Sequence, residues 1–268
     1  MVLYVATLRS QRSHAATAEV LSENIQLGYT VHAAHLDVFT LKNSTSAATI
    51  LALIQELDQI RVETVGGQPE STIDGQDLHD FLVAAHGYSP YSTVLTTTDN
   101  DPHFFNLLYP FSPFPTDPSE PFGLAPLRGT QLNLAWLADT ALFFDTYTYD
   151  LTVEGVDSVT KPKPHGYTRF TRDAQTGVVG QAINTRVQGN RLLGVHNFMT
   201  TGFDDLAAAA AVDVTTIRTQ EVLVSGATRL GPMRPSRSAS SQTLPLITAT
   251  PLIYLDNASH FQDFGYQN

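Results

Sequence analysis

The chain has 268 residues, a formal net charge of −11 and 42% hydrophobic residues. That apolar content is too high for a disordered chain, and the acidic balance argues against a general nucleic-acid binder, which needs a basic surface. Cysteine is absent, which excludes disulfides, thiolate metal sites and cysteine catalysis. Only 15% of the residues are charged, as is common in sheet proteins and in chains that bury surface against neighbours.

The N-terminal residues, 1–24, are predicted to form an arm or a strand. They begin with an apolar run, Val2–Leu8, which is followed by Arg9 and Arg12. No apolar run in the chain approaches the roughly 18 residues that span a bilayer. Because Arg9 also breaks the first run too early for a signal peptide, we expect a chain that is made in a cytoplasm.

Two short helices are predicted in the first half, with strands on either side. Ile25–Phe39 has the composition of an extended strand or a pair of strands. A Ser or Thr can cap a helix within 45–58, and Asp74 can cap a second helix over 74–86, because their side-chain oxygens accept hydrogen bonds from free backbone N–H groups. Between the helices, QIRVETV ends at a Gly-Gly turn and favours a strand.

Two runs between Thr130 and Gly155 alternate with the period of a β-strand. Their apolar positions are Leu132, Leu134 and Trp136 in the first run, and Tyr147, Tyr149, Leu151 and Val153 in the second. Successive side chains on a strand point to opposite faces, so each run has one face suited to a core. We expect the two runs to be the antiparallel closing strands of a β-sandwich, with Trp136 in its core.

The second half of the chain is predicted to be a lobe of its own. Residues 158–166 read as a linker, because the two X-Pro bonds of KPKPHG hold the chain extended. Residues 25–157 then form the first lobe and residues 167–268 the second. Within the second lobe we expect an alanine-rich helix near 204–212 and a loop over 227–242, which contains three arginines and no acidic residue.

The two halves also contain similar segments in the same order. LGYTVH matches LGVH, QIRVETVGG matches TIRTQEVLVSG, HFFNLLYPF matches TPLIYLDN, and Phe122-Gly123 matches Phe264-Gly265. Ordered matches of this kind indicate an internal duplication. The sequence therefore predicts an all-β protein with two β-sandwich lobes and a few short helices.

The second lobe is expected to be incomplete. Nothing after Gly265 corresponds to the two closing runs of the first lobe. An open sheet edge is normally paired or covered. The missing strands could be replaced by Val2–Leu8, by a neighbouring subunit or by sequence absent from this chain, and Val2–Leu8 is the best local candidate.

Two stretches carry a resemblance to a known family. In IRVETVGGQPESTIDGQDLHDF a strand, a glycine turn and a helix beginning at Asp-Gly follow one another, and RLLGVHNFMTT precedes TIRTQEVLVSG in the second half. In this order the chain resembles the double jelly-roll major capsid proteins of tailless icosahedral viruses, including phages with an internal membrane. The resemblance covers residues 25–268. It consists of the order of the elements, because the family has no diagnostic catalytic motif.

This resemblance implies a structural function. A member of the family would be a coat subunit of the virion, made in the host cytoplasm, that forms a homotrimer and tiles an icosahedral shell. Its partners would be copies of itself, other capsid or vertex proteins and an internal viral membrane, with no specific nucleic acid. The family's second barrel is usually complete, whereas the second half of this chain is short.

Histidines are the first candidates for metal ligands, but their spacing is unfavourable. His32 and His35 lie three apart in a predicted strand and would point to opposite faces. His79 and His86 share a helix face without a carboxylate at ligand spacing, and His196 lies in an apolar strand. We therefore predict no metal site and no cofactor.

Catalytic spacing is absent as well. Asp99, Asp101 and His103 form the densest polar cluster, which is typical of a polar turn and lacks the ligand set of a calcium loop. Ser71 has no base at a matching distance along the chain, and no GxSxG, HExxH or P-loop motif occurs. Three further arginines could touch phosphates but are expected to be solvated: Arg229, Arg234 and Arg237. We predict no catalytic residue and no enzymatic activity.

The alternative function is a carbohydrate-binding β-sandwich module, such as a phage receptor-binding or lectin-like domain. Sugars stack on aromatic faces, so this function would be favoured by aromatic residues gathered on one exposed loop. The candidates are Tyr88, Tyr91, Phe104, Phe105, Tyr109 and Phe111.

Overall fold

A computed structural model describes thirteen segments of the chain. These are residues 3–14, 17–25, 28–42, 50–64, 69–86, 100–112, 122–138, 144–157, 167–171, 194–198, 220–224, 227–233 and 259–263. The chain divides into two compact units, Met1–His79 with Pro90–Arg186 and Asp80–Ser89 with Val187–Asn268. Each unit is described by itself.

Eight strands and two helices are described up to residue 157. In chain order they are β1 (Leu3–His14), β2 (Glu19–Asn24), β3 (Tyr29–Lys42), α1 (Ile50–Gln55), β4 (Leu57–Glu63), β5 (Pro69–Ile73), α2 (Gly75–His86), β6 (Pro102–Pro110), β7 (Gln131–Trp136) and β8 (Phe144–Asp157).

The eight strands form two four-stranded antiparallel sheets. One sheet has the order β1-β8-β3-β6 and the other the order β2-β7-β4-β5. We call them sheet A and sheet B. Strands that follow one another in the chain mostly lie in different sheets, which is the arrangement of an eight-stranded jelly roll. The prediction of an all-β sandwich is confirmed.

The core lies between the two sheets. Tyr147 and Tyr149 on β8 are fully buried, and Trp136 on β7 is 2% exposed. The alternation predicted for both runs is therefore confirmed, and so is the position of Trp136. A gap of about 10 Å³ remains between the sheets, which is about the space of one water molecule. It is lined by Ala34, Leu36, Ile60, Leu78, Leu107, Tyr109, Leu132, Leu134 and Leu151.

The two closing runs lie in different sheets of the sandwich and do not pair with each other. β7 pairs with β2 and β4 in sheet B, whereas β8 pairs with β1 and β3 in sheet A. The two strands thus face each other across the core, with the rings of Trp136 and Tyr147 5.7 Å apart. Alternation identifies which face of a strand is buried, but a partner from a distant part of the chain decides the sheet.

The two described helices match the predictions to different extents. Asp74 caps α2, since its Oδ1 accepts a hydrogen bond of 2.7 Å from the backbone N–H of Asp77. α1 is shorter than predicted and ends at Gln55. Leu57, which lies within the range 45–58 predicted for that helix, instead begins β4 as the partner of Trp136. It is fully buried there, so burial in the sheet replaces burial on the helix.

The N-terminal run belongs to the first jelly roll. β1 pairs with β8 from Leu3 opposite Val156 to His14 opposite Tyr147. The expectation that Val2–Leu8 completes the second lobe is therefore wrong for this chain. The physical reason is that each sheet of the first lobe takes one of its edge strands from residues 3–24, with Ala6 of β1 facing the core.

Four strands are described in the second unit. They are β9 (Gly194–Phe198), β10 (Gln220–Val224), β11 (Ala227–Met233) and β12 (Ser259–Asp263). β10 and β11 form an antiparallel hairpin, and β9 pairs with β12. The loop expected over 227–242 is thus a strand in its first seven residues, because these residues pair with β10.

The pairings in the second unit repeat those in the first. β4 and β5 form a hairpin as β10 and β11 do, and β3 pairs with β6 as β9 does with β12. The matched segments LGYTVH and LGVH overlap β3 and β9, and QIRVETV and TIRTQEVLV overlap β4 and β10. The backbone pairings therefore support the duplication that the sequence predicts.

Several sequence predictions fall outside the described residues. They concern the linker 158–166, the helix near 204–212 and the segment TPLIYLDN. Residues 167–171, which the sequence assigned to the second lobe, lie in the first unit. Of the described helices, neither has both the length and the hydropathy required to cross a membrane.

Candidate functional site

A group of charged side chains lies where the chain passes from one sheet of the first unit to the other. β1 is one of the two edge strands of sheet A, and β2 is one of the two edge strands of sheet B. Only residues 15–18 connect them. We call the side chains that bridge this passage the β1–β2 corner; they are Arg9, Arg12, His14, Glu19 and Glu23.

Ion pairs join the two strands at the corner. Arg9 donates two hydrogen bonds to Glu23, from Nε to Oε1 at 2.6 Å and from Nη2 to Oε2 at 2.9 Å. Glu19 accepts from Arg12 Nη2 at 2.9 Å and from His14 Nδ1 at 2.8 Å. The Glu23 side chain is only 8% exposed, so its bidentate partner also compensates for its lost hydration.

A bulge in β1 orients the side chains of the β1–β2 corner. The register against β8 shifts between Arg9 and Arg12, and Gln11 has a φ of 49°. A non-glycine residue in this left-handed region costs energy unless its surroundings hold it. Here the backbone N–H of Gln11 donates to Asp150 Oδ1 at 2.6 Å. The bulge lets two arginines three positions apart both reach β2.

The corner continues inward as a group of aromatic rings. The side chain of His14 is fully buried. Its ring lies 5.6 Å from that of Trp136 and 5.4 Å from that of Tyr147. The Tyr147 hydroxyl donates to the carboxylate of Glu56. Ionic contacts at the surface thus lead directly into the core between the two sheets.

Local interactions shift the pKa of several corner groups. The hydrogen bond from His14, together with Arg12, holds the pKa of Glu19 below its usual 4.5. Burial, with a smaller effect from the charge on Glu23, raises the pKa of Tyr149 to about 12. The hydrogen bond to Glu23 raises the pKa of Arg9. At neutral pH the carboxylate of Glu19 is therefore ionised.

The depressed pKa of Glu19 predicts a specific acid sensitivity. A carboxylate with a lowered folded-state pKa stabilises the fold above its unfolded pKa, and this contribution is lost as pH falls through the folded value. We expect the urea midpoint of the natural chain to fall more steeply below pH 4.5 than that of Glu19→Gln. If the urea midpoints of the two proteins changed in parallel with pH, Glu19 would not contribute to the acid sensitivity of the fold.

A second polar group closes the opposite side of the first lobe. The Ser71 hydroxyl hydrogen-bonds the buried Tyr109 hydroxyl at 2.6 Å, and the N–H of Phe170 donates to Ser71 Oγ at 2.8 Å. Glu70 accepts from Tyr167 at 2.6 Å and pairs with Arg169 at 3.2 Å. Ser71 is thus a structural residue here and has no catalytic base beside it among these contacts.

These contacts fix residues 167–171 along the free edge of β5. The N–H of Thr72 donates to the carbonyl of Phe170 at 3.1 Å, and the N–H of Thr168 donates to that of Phe111 at 2.9 Å. The segment therefore covers part of the edge of sheet B, where exposed backbone groups would otherwise invite pairing with another chain.

The histidines singled out in the sequence do not come together. His32 is buried, whereas the half-exposed His35 pairs with Glu154 at 3.3 Å. His79 lies on α2, and the side chains of His86 and His196 lie outside the described set. Within the described segments, no three His, Asp or Glu side chains are grouped as a metal ion would require.

The structure describes only some of the residues of the predicted polar turn and of the arginine-containing loop. His103 is buried on the inner face of β6, and Asp101 is half-buried before that strand. Asp99 lies outside the described residues, as do Arg234 and Arg237, while Arg229 is in β11.

Half of the aromatic residues considered for sugar binding belong to the core. Phe105 and Phe111 are fully buried and Tyr109 is 3% exposed. Phe104 is half-buried and its ring lies 4.8 Å from that of Phe39. Tyr88 and Tyr91 fall outside the described residues. The described members of the set thus lack the shared exposure that stacking on sugars needs.

Sequence reasoning missed the β1–β2 corner, although the chain contained a signal for it. Arg9 and Glu23, and likewise Arg12 and Glu19, lie almost symmetrically about residues 15 and 16. Opposite charges placed in this way would face each other if the chain folded back at that point. The signal required residues 1–24 to be read as two strands rather than as one arm.

The strand orders of sheets A and B define the class of fold as a viral-type jelly roll, a class that also includes lectins. No protein-family model matches the chain. No curated protein matches it either.

Solved structures do match along almost the whole chain. The STIV major capsid protein aligns with a TM-score of 0.58 at 11% identity, covering 98% of this chain and 85% of that chain. The major capsid protein P2 of bacteriophage PM2 gives 0.58 at 16% identity, with coverages of 98% and 83%. The PBCV-1 capsid structure aligns with a TM-score of 0.55 at 10% identity. The alignment covers 100% of this chain and 79% of that chain. The chain therefore has the double jelly-roll fold of these capsid proteins.

Proposed function

We propose that this chain is the major coat subunit of a viral capsid. The observation that carries the proposal is the alignment of nearly the whole chain with the major capsid proteins of STIV and bacteriophage PM2. The repeated hairpin and strand pairing of the second unit supports it, since a double jelly roll requires two such units.

The described side chains are suited to holding a rigid shell component together. The β1–β2 corner joins the two sheets on one side through four hydrogen bonds to Glu19 and Glu23. Ser71, Tyr109 and residues 167–171 close the other side. The gap of about 10 Å³ in the core is too small for a substrate. These features support a subunit whose function is its own packing.

In its finer form, the proposal is that the chain forms homotrimers that tile an icosahedral shell in the virion. Its proposed neighbours are other capsid or vertex proteins and an internal viral membrane. The chain would be made in the host cytoplasm. In this proposal it catalyses no reaction. The low content of charged residues supports extensive contact between copies, because interface cores are depleted in charge.

Sedimentation velocity and negative-stain microscopy test this proposal together. We expect the purified chain to sediment as a trimer and to form flat lattice patches as its concentration rises, because shell subunits reuse the same contacts in every copy. A glycan array run on the same sample serves as the control. A chain that stays monomeric at all concentrations and binds glycans would contradict the proposal.

A further inference from the structure

Three buried polar atoms beside the β1–β2 corner have no hydrogen-bond partner among the described residues. They are His14 Nε2, Trp136 Nε1 and the Tyr149 hydroxyl. The three residues are only 1%, 2% and 0% exposed, respectively. Buried polar atoms in native proteins are almost always paired with protein or with ordered water, so three in one place require an explanation.

The three residues belong to one group of rings that draws on both sheets. The ring of Trp136 lies 5.6 Å from that of His14 and 6.3 Å from that of Tyr149. Trp136 is on β7 in sheet B, whereas the other two are on the neighbouring strands β1 and β8 of sheet A. The three residues with unpaired atoms thus form one contiguous group where the two sheets meet.

The hydrogen-bonding roles of the three atoms are complementary. His14 Nδ1 lies 2.8 Å from the carboxylate of Glu19, which can only accept, so Nδ1 carries a proton. In the neutral ring Nε2 is then an acceptor. The indole N–H of Trp136 can only donate, and a tyrosine hydroxyl can do either. The group thus offers one acceptor, one donor and one atom of either kind.

We propose that an internal water molecule binds between His14, Trp136 and Tyr149 and links the two sheets at the β1–β2 corner. The water would accept from the Trp136 N–H, donate to His14 Nε2 and complete its bonding with the Tyr149 hydroxyl. Three bonds are the usual number for a buried water. A metal cation does not suit the group, because the indole N–H cannot be a ligand and only one imidazole nitrogen is free.

This water is independent of the proposed function, since any protein with this corner would bind it. It has a consequence for the His14 ring, because the water would bond to Nε2 while Nδ1 bonds to Glu19. The corner then has one defined arrangement of donors and acceptors from the surface ion pairs to the core.

The sign of a stability change distinguishes a hydrated site from a dry one. Tyr149→Phe removes only the hydroxyl. If water bridges that hydroxyl, the substitution breaks a hydrogen bond, and we expect the unfolding equilibrium constant to increase roughly two- to tenfold. If the site is dry, the same substitution removes an unsatisfied buried group, and the unfolding constant stays unchanged or decreases.

Tyr109→Phe is the matched control, because the buried Tyr109 hydroxyl bonds Ser71 directly at 2.6 Å. We expect both substitutions to lower the urea midpoint of the full chain. A Tyr149→Phe midpoint equal to or above that of the natural chain, with a lowered Tyr109→Phe midpoint, would overturn the proposal. So would a high-resolution crystal structure without a density peak within hydrogen-bonding distance of the three atoms.

Discussion

Trp136→Ala is expected to lower the free energy of unfolding by about 3–5 kcal/mol, the usual cost of truncating a large buried aromatic residue. Trp136 is 2% exposed, and its ring lies against those of His14, Tyr147 and Tyr149. Removing it would open a cavity at the place where strands from both sheets meet. Urea unfolding followed by circular dichroism would measure the change.

Leu137→Ala is the control for this substitution. Leu137 follows Trp136 directly but is 46% exposed, so we expect a change within about 0.5 kcal/mol. A similar loss of stability in the two variants would show that the strand phase of β7 is wrong.

Gly155→Ala is expected to lower the free energy of unfolding substantially. Overpacking typically costs roughly 1–3 kcal/mol, and we expect the upper end of that range or more. A Cβ atom at Gly155 would lie 2.2 Å from the carbonyl oxygen of Thr30 and 3.1 Å from the Cα of Val31. Both are backbone atoms of β3, so no side chain can move aside. The strand itself would have to shift at the point where β8 pairs with β3.

Thr152→Ala provides the comparison on the same strand. Thr152 is half-buried on the outer face of sheet A, opposite His35. We expect a change of less than about 1 kcal/mol, since only cross-strand side-chain packing is altered. If Gly155→Ala were equally mild, β3 and β8 would be further apart than the structure places them.

Local patterns predicted the faces of the strands but not their partners. The alternation of Tyr147 and Tyr149 with polar residues identified the buried face of β8, because side-chain direction depends only on the strand itself. The assignment of β7 and β8 to opposite sheets depends on β1, β2, β3 and β4, which are distant in the sequence. No periodicity within the two runs contains that information.

The N-terminal strand shows a second limit of sequence reasoning. After Leu8 the sequence reads RSQRSH, which lacks the apolar alternation of a half-buried strand. The structure explains this composition, because β1 is an outermost strand with a bulge at Gln11. Edge strands tolerate polar and charged residues, which also discourage pairing with other molecules.

The candidate site could be predicted only in part. The sequence assigned no catalytic role to Ser71 or His103, and the structure shows that both are buried, which depends on packing that spacing alone does not reveal. The hydrogen bond between Ser71 and Tyr109 joins positions 38 residues apart. The group formed by His14, Trp136 and Tyr149 is still less local, since it combines strands from the start and the end of the lobe.

The pairing of β1 with β8 makes the order of synthesis important for folding. Leu3 pairs with Val156, so β1 leaves the ribosome 153 residues before its partner strand is complete. At the usual 5–20 residues per second, this delay lasts roughly 8–30 s. Contacts between such distant residues also slow folding itself. During this interval β1 lacks the partner strand with which it pairs in the folded lobe.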